Sequence, residues 1–305
     1  MPRFTSPFDG AQLFYRDYVP ATFPPPFRPN EAYGNKPQPT LVFLHGWPMS
    51  SVMFEQLMLP LCESYRFRCI ATDRRGFGKS DWDGPEPVTS PIDYSVFAAD
   101  TVHLLEKLKI GPFIFIGASM GAGESVQAYF QSQYVKENCK GFFWIGAALP
   151  YVIATPENPT APTRETWDEI IQGLRDARPE YVHTAIPSVL GADAGQEISE
   201  HTNRRFENIV HGADALAIER CPQIILSTDF TEKLQRLNVE TDVPITCIHG
   251  DKDTGCPASA SADVVRKIVP RTEVKIYENG SHGIYLTHSK QTIEDLLELV
   301  GKVKC

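Results

Sequence analysis

Ser119 stands between two glycines in Gly117-Ala118-Ser119-Met120-Gly121, where "FIFIGAS" runs into "GAGESVQAYFQSQYV". A serine hydroxyl becomes a nucleophile only when it protrudes and a base takes its proton. A sharp strand-to-helix turn makes it protrude, at the cost of strain in the serine backbone. A Cβ two residues before or after would collide with the crossing backbone, so glycine suits both places. The helix that follows aims its first N–H groups and its positive dipole end at the hydroxyl. The backbone N–H of Met120 then becomes a donor to an oxyanion. The chemistry this pattern serves is acyl transfer through an acyl-serine. The blander reading is an ordinary glycine turn, since glycine and serine are common in turns.

Acyl transfer needs a base and an acid that orients it. In G-x-S-x-G enzymes these follow the serine in the order acid, then histidine, in loops after late strands. "CIHGDKDTGCP" offers Asp251 and Asp253, and "YENGSHGIYLTH" offers His282 and His288. His282 lies in a glycine-flanked loop just past a strand and is the expected base. His288 precedes "SKQTIEDLL" and reads as the start of a helix. Asp251 abuts its strand, where its side chain would tie the loop to backbone N–H groups. Loop position therefore favours Asp253 as the acid, and the resemblance given below adds to that choice. The second oxyanion donor should come from the loop after "TLVFLHG", which makes the Trp47 N–H the candidate. Pro48 stiffens that loop, and His45 reads as its brace rather than as a base.

These residues need a scaffold that brings distant loops together. "FTSPFDGAQLFYRDYVP" reads as a hairpin turning at Asp9-Gly10. "TLVFLHG", "FRCIATD", "FIFIGAS" and "GFFWIGAAL" are apolar runs that suit strands buried on both faces. Between them lie helical spacings: "SSVMFEQLMLPLCES", with a serine as possible cap, and "DYSVFAADTVHLLEKLKIG", stopped by Gly111. Strands alternating with helices imply a mostly parallel sheet with helices on both faces. The rhythm breaks from about Tyr151 to about Ala213, where "TRETWDEIIQGLRDA" and "ISEHTNRRFENIV" are helix-like. It resumes with "PITCIHG", "SASADVVRKIV", "EVKIYEN" and "SKQTIEDLLELVGKV". The expected organisation is a core of residues 1–150 and 214–305 carrying a helical insertion, 151–213. The proline-rich stretch 20–39 reads as an elaborated surface loop.

The 305 residues are 42% hydrophobic and 22% charged, an ordinary globular composition, with a formal net charge of −9 and no basic block. Nucleic acid and membrane are poor partner expectations. Seven cysteines form no CxxC pair, and "MPRFTSPFDG" has no apolar leader. That pattern points to reduced thiols in a cytoplasmic protein, with no metal or cofactor site.

HGWP (His45–Pro48), DRRGFGKSD (Asp73–Asp81), GASMG, TDF (Thr228–Phe230), HGDKD (His249–Asp253) and SHGIYLTH (Ser281–His288) fall in the order found in α/β-hydrolases. The chain most resembles the cofactor-free bacterial arylesterases, perhydrolases and non-haem haloperoxidases. That resemblance implies an eight-stranded, mostly parallel sheet with a helical cap between strands six and seven. It implies a Ser-Asp-His triad, which falls on Ser119, Asp253 and His282, and oxyanion positions matching Trp47 and Met120. Ser281 departs from that group, which usually has proline there. Asp73, Arg74 and Arg75 read as an ion-paired turn behind the elbow, and Thr228-Asp229-Phe230 as a brace at the cap's exit.

The function expected is a serine hydrolase acting on a small-molecule carboxylic ester or lactone, without metal or cofactor; a homo-oligomer is also compatible with the sequence. Tyr151, Trp167, Tyr181 and Phe206 are candidate pocket residues, although aromatic residues also pack caps. Three rivals share the residues: a perhydrolase or cofactor-free haloperoxidase, a C–C bond hydrolase, and a ligand receptor that keeps the triad without turnover.

Overall fold

Residues 41–44, 69–72, 113–118 and 245–250 are buried without a break, as are six of the seven residues of 139–145. Successive side chains of a strand point to opposite faces, so unbroken burial requires cover on both. The computed structural model describes residues 2–21, 38–86 and 90–303. In it these strands lie inside one eight-stranded sheet. The strands are β1 (Arg3–Thr5), β2 (Gln12–Tyr18), β3 (Thr40–Leu44), β4 (Cys69–Thr72), β5 (Phe113–Ala118), β6 (Cys139–Ile145), β7 (Ile245–Gly250) and β8 (Glu273–Tyr277). Their spatial order is β1-β2-β4-β3-β5-β6-β7-β8. β2 is antiparallel to β1 and to β4, and every other pairing is parallel. Most of the proline-rich stretch lies outside the described residues.

The helices are α1 (Glu55–Glu63), α2 (Tyr94–Lys107), α3 (Met120–Gln131), α4 (Gln133–Asn138), α5 (Arg164–Leu190), α6 (Glu200–His211), α7 (Ala215–Ser227), α8 (Thr231–Glu240), α9 (Ala262–Ile268), α10 (Ile284–Thr287) and α11 (Ser289–Lys302). α1 packs with α11 and α2 with α3, giving the sheet two separate sets of covering helices. No helix among the described residues is long and apolar enough to cross a membrane.

Two local expectations are corrected. The first turn before α1 has no serine side-chain cap. Asp73, arriving from the end of β4, accepts the Ser51 N–H at 2.8 Å instead. Helix α2 ends at Leu108, with Lys109 at φ 52° taking the left-handed position expected nearer Gly111.

Four helices, α5 to α8, separate β6 from β7. The expected boundary at residue 213 falls between α6 and α7, and neither α7 nor α8 was read as an element. The signals are there: Asp214 caps α7 by accepting the Leu216 N–H, and Leu234 and Leu237 are buried at helical spacing on α8. Pro222 inside α7 masks the pattern. Helix α5 is bent, since Ala177 has non-helical φ −152° and ψ 63°.

Candidate active site

Strand β5 delivers its last residue to a turn in which Ser119 has φ 51° and ψ −117°. A non-glycine residue at positive φ costs energy and persists only where its surroundings hold it. Three hydrogen bonds hold this one: Ser119 N–H donates to Ile145 O at 2.9 Å, and the Ala148 and Ala122 N–H groups each donate to Ser119 O at 3.1 Å. The flanking glycines are needed for close approach. A Cβ on Gly121 would stand 2.0 Å from Leu44 O, and one on Gly117 2.7 Å from Ala122 N. The crowding at Gly121 comes from β3 rather than from the turn itself. Helix α3 starts at the next residue, Met120, so its N-terminal end adjoins the serine.

His282 follows β8 and Asp253 follows β7. The imidazole Nδ1 lies 2.7 Å from Asp253 Oδ2. The other carboxylate oxygen accepts the N–H groups of Gly255 at 3.0 Å and Cys256 at 2.9 Å. Burial alone would raise the Asp253 pKa. The His282 charge and hydrogen bond, with His249 and the Cys256 N–H, more than offset this and hold it below the ordinary carboxylate value. Burial alone would likewise lower His282, but the Asp253 carboxylate holds it above the ordinary imidazole value. Gly146, at the end of β6, makes room for the pair: a Cβ there would be 3.1 Å from His282 Nδ1 and 3.3 Å from Asp253 Oδ2. Asp251 pairs instead with Lys252 at 2.9 Å, and His288 bonds Glu278 O at 3.1 Å at the start of α11.

The His45–Pro48 loop lies against the serine, for a Cβ on Gly46 would be 3.0 Å from Ser119 Cβ. His45 is buried; its Nε2 accepts the Arg74 N–H at 2.9 Å, and its Nδ1 donates to Gly46 O at 2.8 Å. Burial, followed by the Arg74 charge, pushes its pKa well below the ordinary value, so the ring is a neutral brace. Arg74 also donates to His45 O and, through Nε at 2.8 Å, to Glu124 of α3. One buried arginine thus ties the loop to the elbow helix. Arg75 is paired with Asp9 and Asp100. Asp73 is the exception to the ion-paired turn expected there: its partners are the Ser51 and Lys79 N–H groups.

Ser119, Trp47 and His282 border one cavity of about 190 Å³ roofed by α5. Trp167 and Tyr181 line it; Tyr151 and Phe206 do not. Tyr151 instead donates its hydroxyl to Leu226 O at 3.1 Å beside a smaller neighbouring cavity. Phe206 packs behind Tyr285, with ring centroids 6.1 Å apart, and Tyr285 takes the lining place. Trp47 and Trp167 meet across the cavity at 6.4 Å.

Two site features were missed by sequence reasoning. The Cys256 thiol lines the cavity in hydrogen-bonding contact with Ser119, and burial followed by the Asp253 charge keeps it protonated. Ser281 ties the histidine loop to the cap: its hydroxyl donates to Ser188 O at 3.0 Å, and Gly283 N–H donates to Val189 O at 2.8 Å. Proline, usual in the resembling group at position 281, could not make the first bond. That departure was the available signal.

Sequence and architecture agree with known proteins. Residues 39–289 match the α/β-hydrolase fold family. The chain belongs to that family. Among curated α/β-hydrolase relatives, a bifunctional esterase/perhydrolase of Acinetobacter calcoaceticus is 28% identical over 300 residues, covering 96% of this chain and 97% of the relative. A non-heme chloroperoxidase of Kitasatospora aureofaciens is 27% identical over 299 residues, covering 96% and 98%. The crystal structure of a bromoperoxidase from Bacillus anthracis shares the fold with a TM-score of 0.82 at 24% identity, covering 98% of this chain and 99% of that one.

Proposed function

We propose that this α/β-hydrolase cleaves a small, uncharged carboxylic ester or lactone through an acyl-enzyme on Ser119. The supporting observation is convergence: an elbow serine, a histidine bonded to a buried carboxylate, and the Gly46-Trp47 loop all border one cavity. His282 takes the Ser119 proton while Asp253 stabilises the imidazolium. The oxygen adds to the ester carbonyl, whose negative charge is met by the Trp47 and Met120 N–H groups. The alcohol leaves with the proton from His282. Water, activated by the same ring, then releases the acid and restores Ser119. Apart from the catalytic groups the lining is largely aliphatic and aromatic, including Met53, Ile145, Ile186 and Val210, so a charged acyl or alcohol group would lose its hydration without compensation. The helical segment 151–213 is the cap of this proposal. It leaves the sheet after β6, at the strand edge that carries the site, and its helix α5 lines the cavity.

A second reading uses the same acyl-enzyme with hydrogen peroxide in place of water, giving a peracid and free Ser119. It is supported by the esterase/perhydrolase and chloroperoxidase names of the relatives. The test for both is turnover of p-nitrophenyl acetate with and without peroxide, compared with Ser119→Ala. A variant that keeps most of the wild-type rate with a correctly folded chain ends both readings.

A further inference from the structure

Gly173 sits inside helix α5, where glycine is less favourable than alanine. A local cost of this kind calls for a reason elsewhere in the fold. The reason is Tyr181, two turns along the same bent helix. A Cβ on residue 173 would stand 2.4 Å from Tyr181 Cδ2 and 2.7 Å from Cε2. The bend at Ala177 folds the two halves of α5 toward each other. Pro179 supports it, since it has no N–H to give to the carbonyl four residues back. The ring of Tyr181 then lies against the bare backbone of Gly173.

Both halves of α5 wall the catalytic cavity: Trp167, Ile170 and Leu174 before the bend, Tyr181, Ile186 and Val189 after it. Gly173 itself does not border the cavity. We propose that Gly173 sets the bulk of ester this site accepts by giving the Tyr181 ring its resting place in the cavity wall, against the helix backbone. The inference rests on the ester-hydrolase reading above and adds a specificity determinant to it. Any side chain at 173 evicts the ring from the helix, and the free space on the ring's other side is the cavity. Gly173 is therefore a positioning residue that acts through Tyr181 and touches no substrate.

The experiment measures kcat/KM for p-nitrophenyl acetate and p-nitrophenyl benzoate in the wild type, Gly173→Ala, Tyr181→Ala and the double variant. Gly173→Ala should lower the benzoate-to-acetate ratio about tenfold or more, the scale of a lost or blocked pocket contact. In the Tyr181→Ala background the same glycine substitution should leave the ratio within about twofold, because the ring it would displace is gone. A ratio that is unchanged or raised by Gly173→Ala overturns the proposal. So does an equal fall in both backgrounds, which would mean general damage to the cap. A wild type inert toward both esters sinks the hydrolase reading instead. The ring position is then read from a crystal structure of Gly173→Ala, where a Tyr181 ring left in place overturns the inference on its own.

Discussion

Behind Ser119 the charged groups are buried and matched. Arg74 pairs with Glu124, their side chains each 2% exposed, and Thr101 donates to the remaining carboxylate oxygen at 2.7 Å. Over Ser119, among the helices between β6 and β7, ion pairs such as Arg175 with Glu219 and Arg204 with Glu200 lie at the surface, while the face toward the site is apolar. The two regions meet at one cavity but are held by different forces. Directional bonds with few acceptable geometries fix the elbow and its loops. Non-directional packing, which tolerates many side chains of similar volume, shapes the cap. On the proposed function, chemistry belongs to the first region and substrate choice to the second.

The sharpest way to break this contrast is at the nucleophile. Ser119→Ala should lower kcat by at least ~10⁴-fold, since the attacking atom is gone and only binding and oxyanion donors remain. Thermal melting should show an intact fold.

Asp253→Asn should cost about 10⁴-fold in kcat, with Asp251→Asn close to wild type. The same pair predicts the pH profile. His282 acts as a base only when neutral, so activity falls as pH drops through its pKa. Asp253 holds that pKa above the ordinary imidazole value. Removing the carboxylate charge leaves burial, which acts in the opposite direction, and the neighbouring His249. The acid limb of kcat/KM should therefore move to lower pH in Asp253→Asn. A limb that stays in place would contradict the assignment of the pair.

The supporting bonds can be compared directly. Glu124→Gln keeps the volume but leaves Arg74 as an uncompensated buried charge, at a cost of about 3 kcal/mol or more in urea unfolding. Glu219→Ala, which breaks the exposed pair between α5 and α7, should leave the unfolding midpoint unmoved, because exposed pairs contribute little. Equal losses would mean that the cap is held as rigidly as the elbow.

The smallest effect sharpens the division of labour. Trp167→Ala should change kcat/KM for bulky esters by about tenfold, with acetate turnover shifting far less. Parallel changes on both substrates would make Trp167 a packing residue only.

Several features needed nothing beyond the sequence. Strained turns and close backbone approaches admit very few residue types, so Gly117, Ser119 and Gly121 announce the elbow by identity alone. Strands buried on both faces must be continuously apolar, so the parallel sheet was legible as well. Loop position pointed to Asp253 and His282, because acid and base must lie beyond late strands at the same sheet edge. The tertiary structure decided the rest. Asp73 caps the turn before α1 from another strand, a bond that no local pattern shows. Tyr285 rather than Phe206 reaches the cavity, because a helix's rotation about its axis is set by its neighbours and not by its own residues, and Tyr151 is held outside it by its hydroxyl bond to Leu226 O. Helices α7 and α8 were hidden by a proline and by short apolar stripes that gain meaning only once packed. The bend of α5 and the contact of Gly173 with Tyr181 likewise join residues whose proximity depends on a backbone angle. Packing energy depends on which surfaces meet, and a linear chain does not carry that information residue by residue.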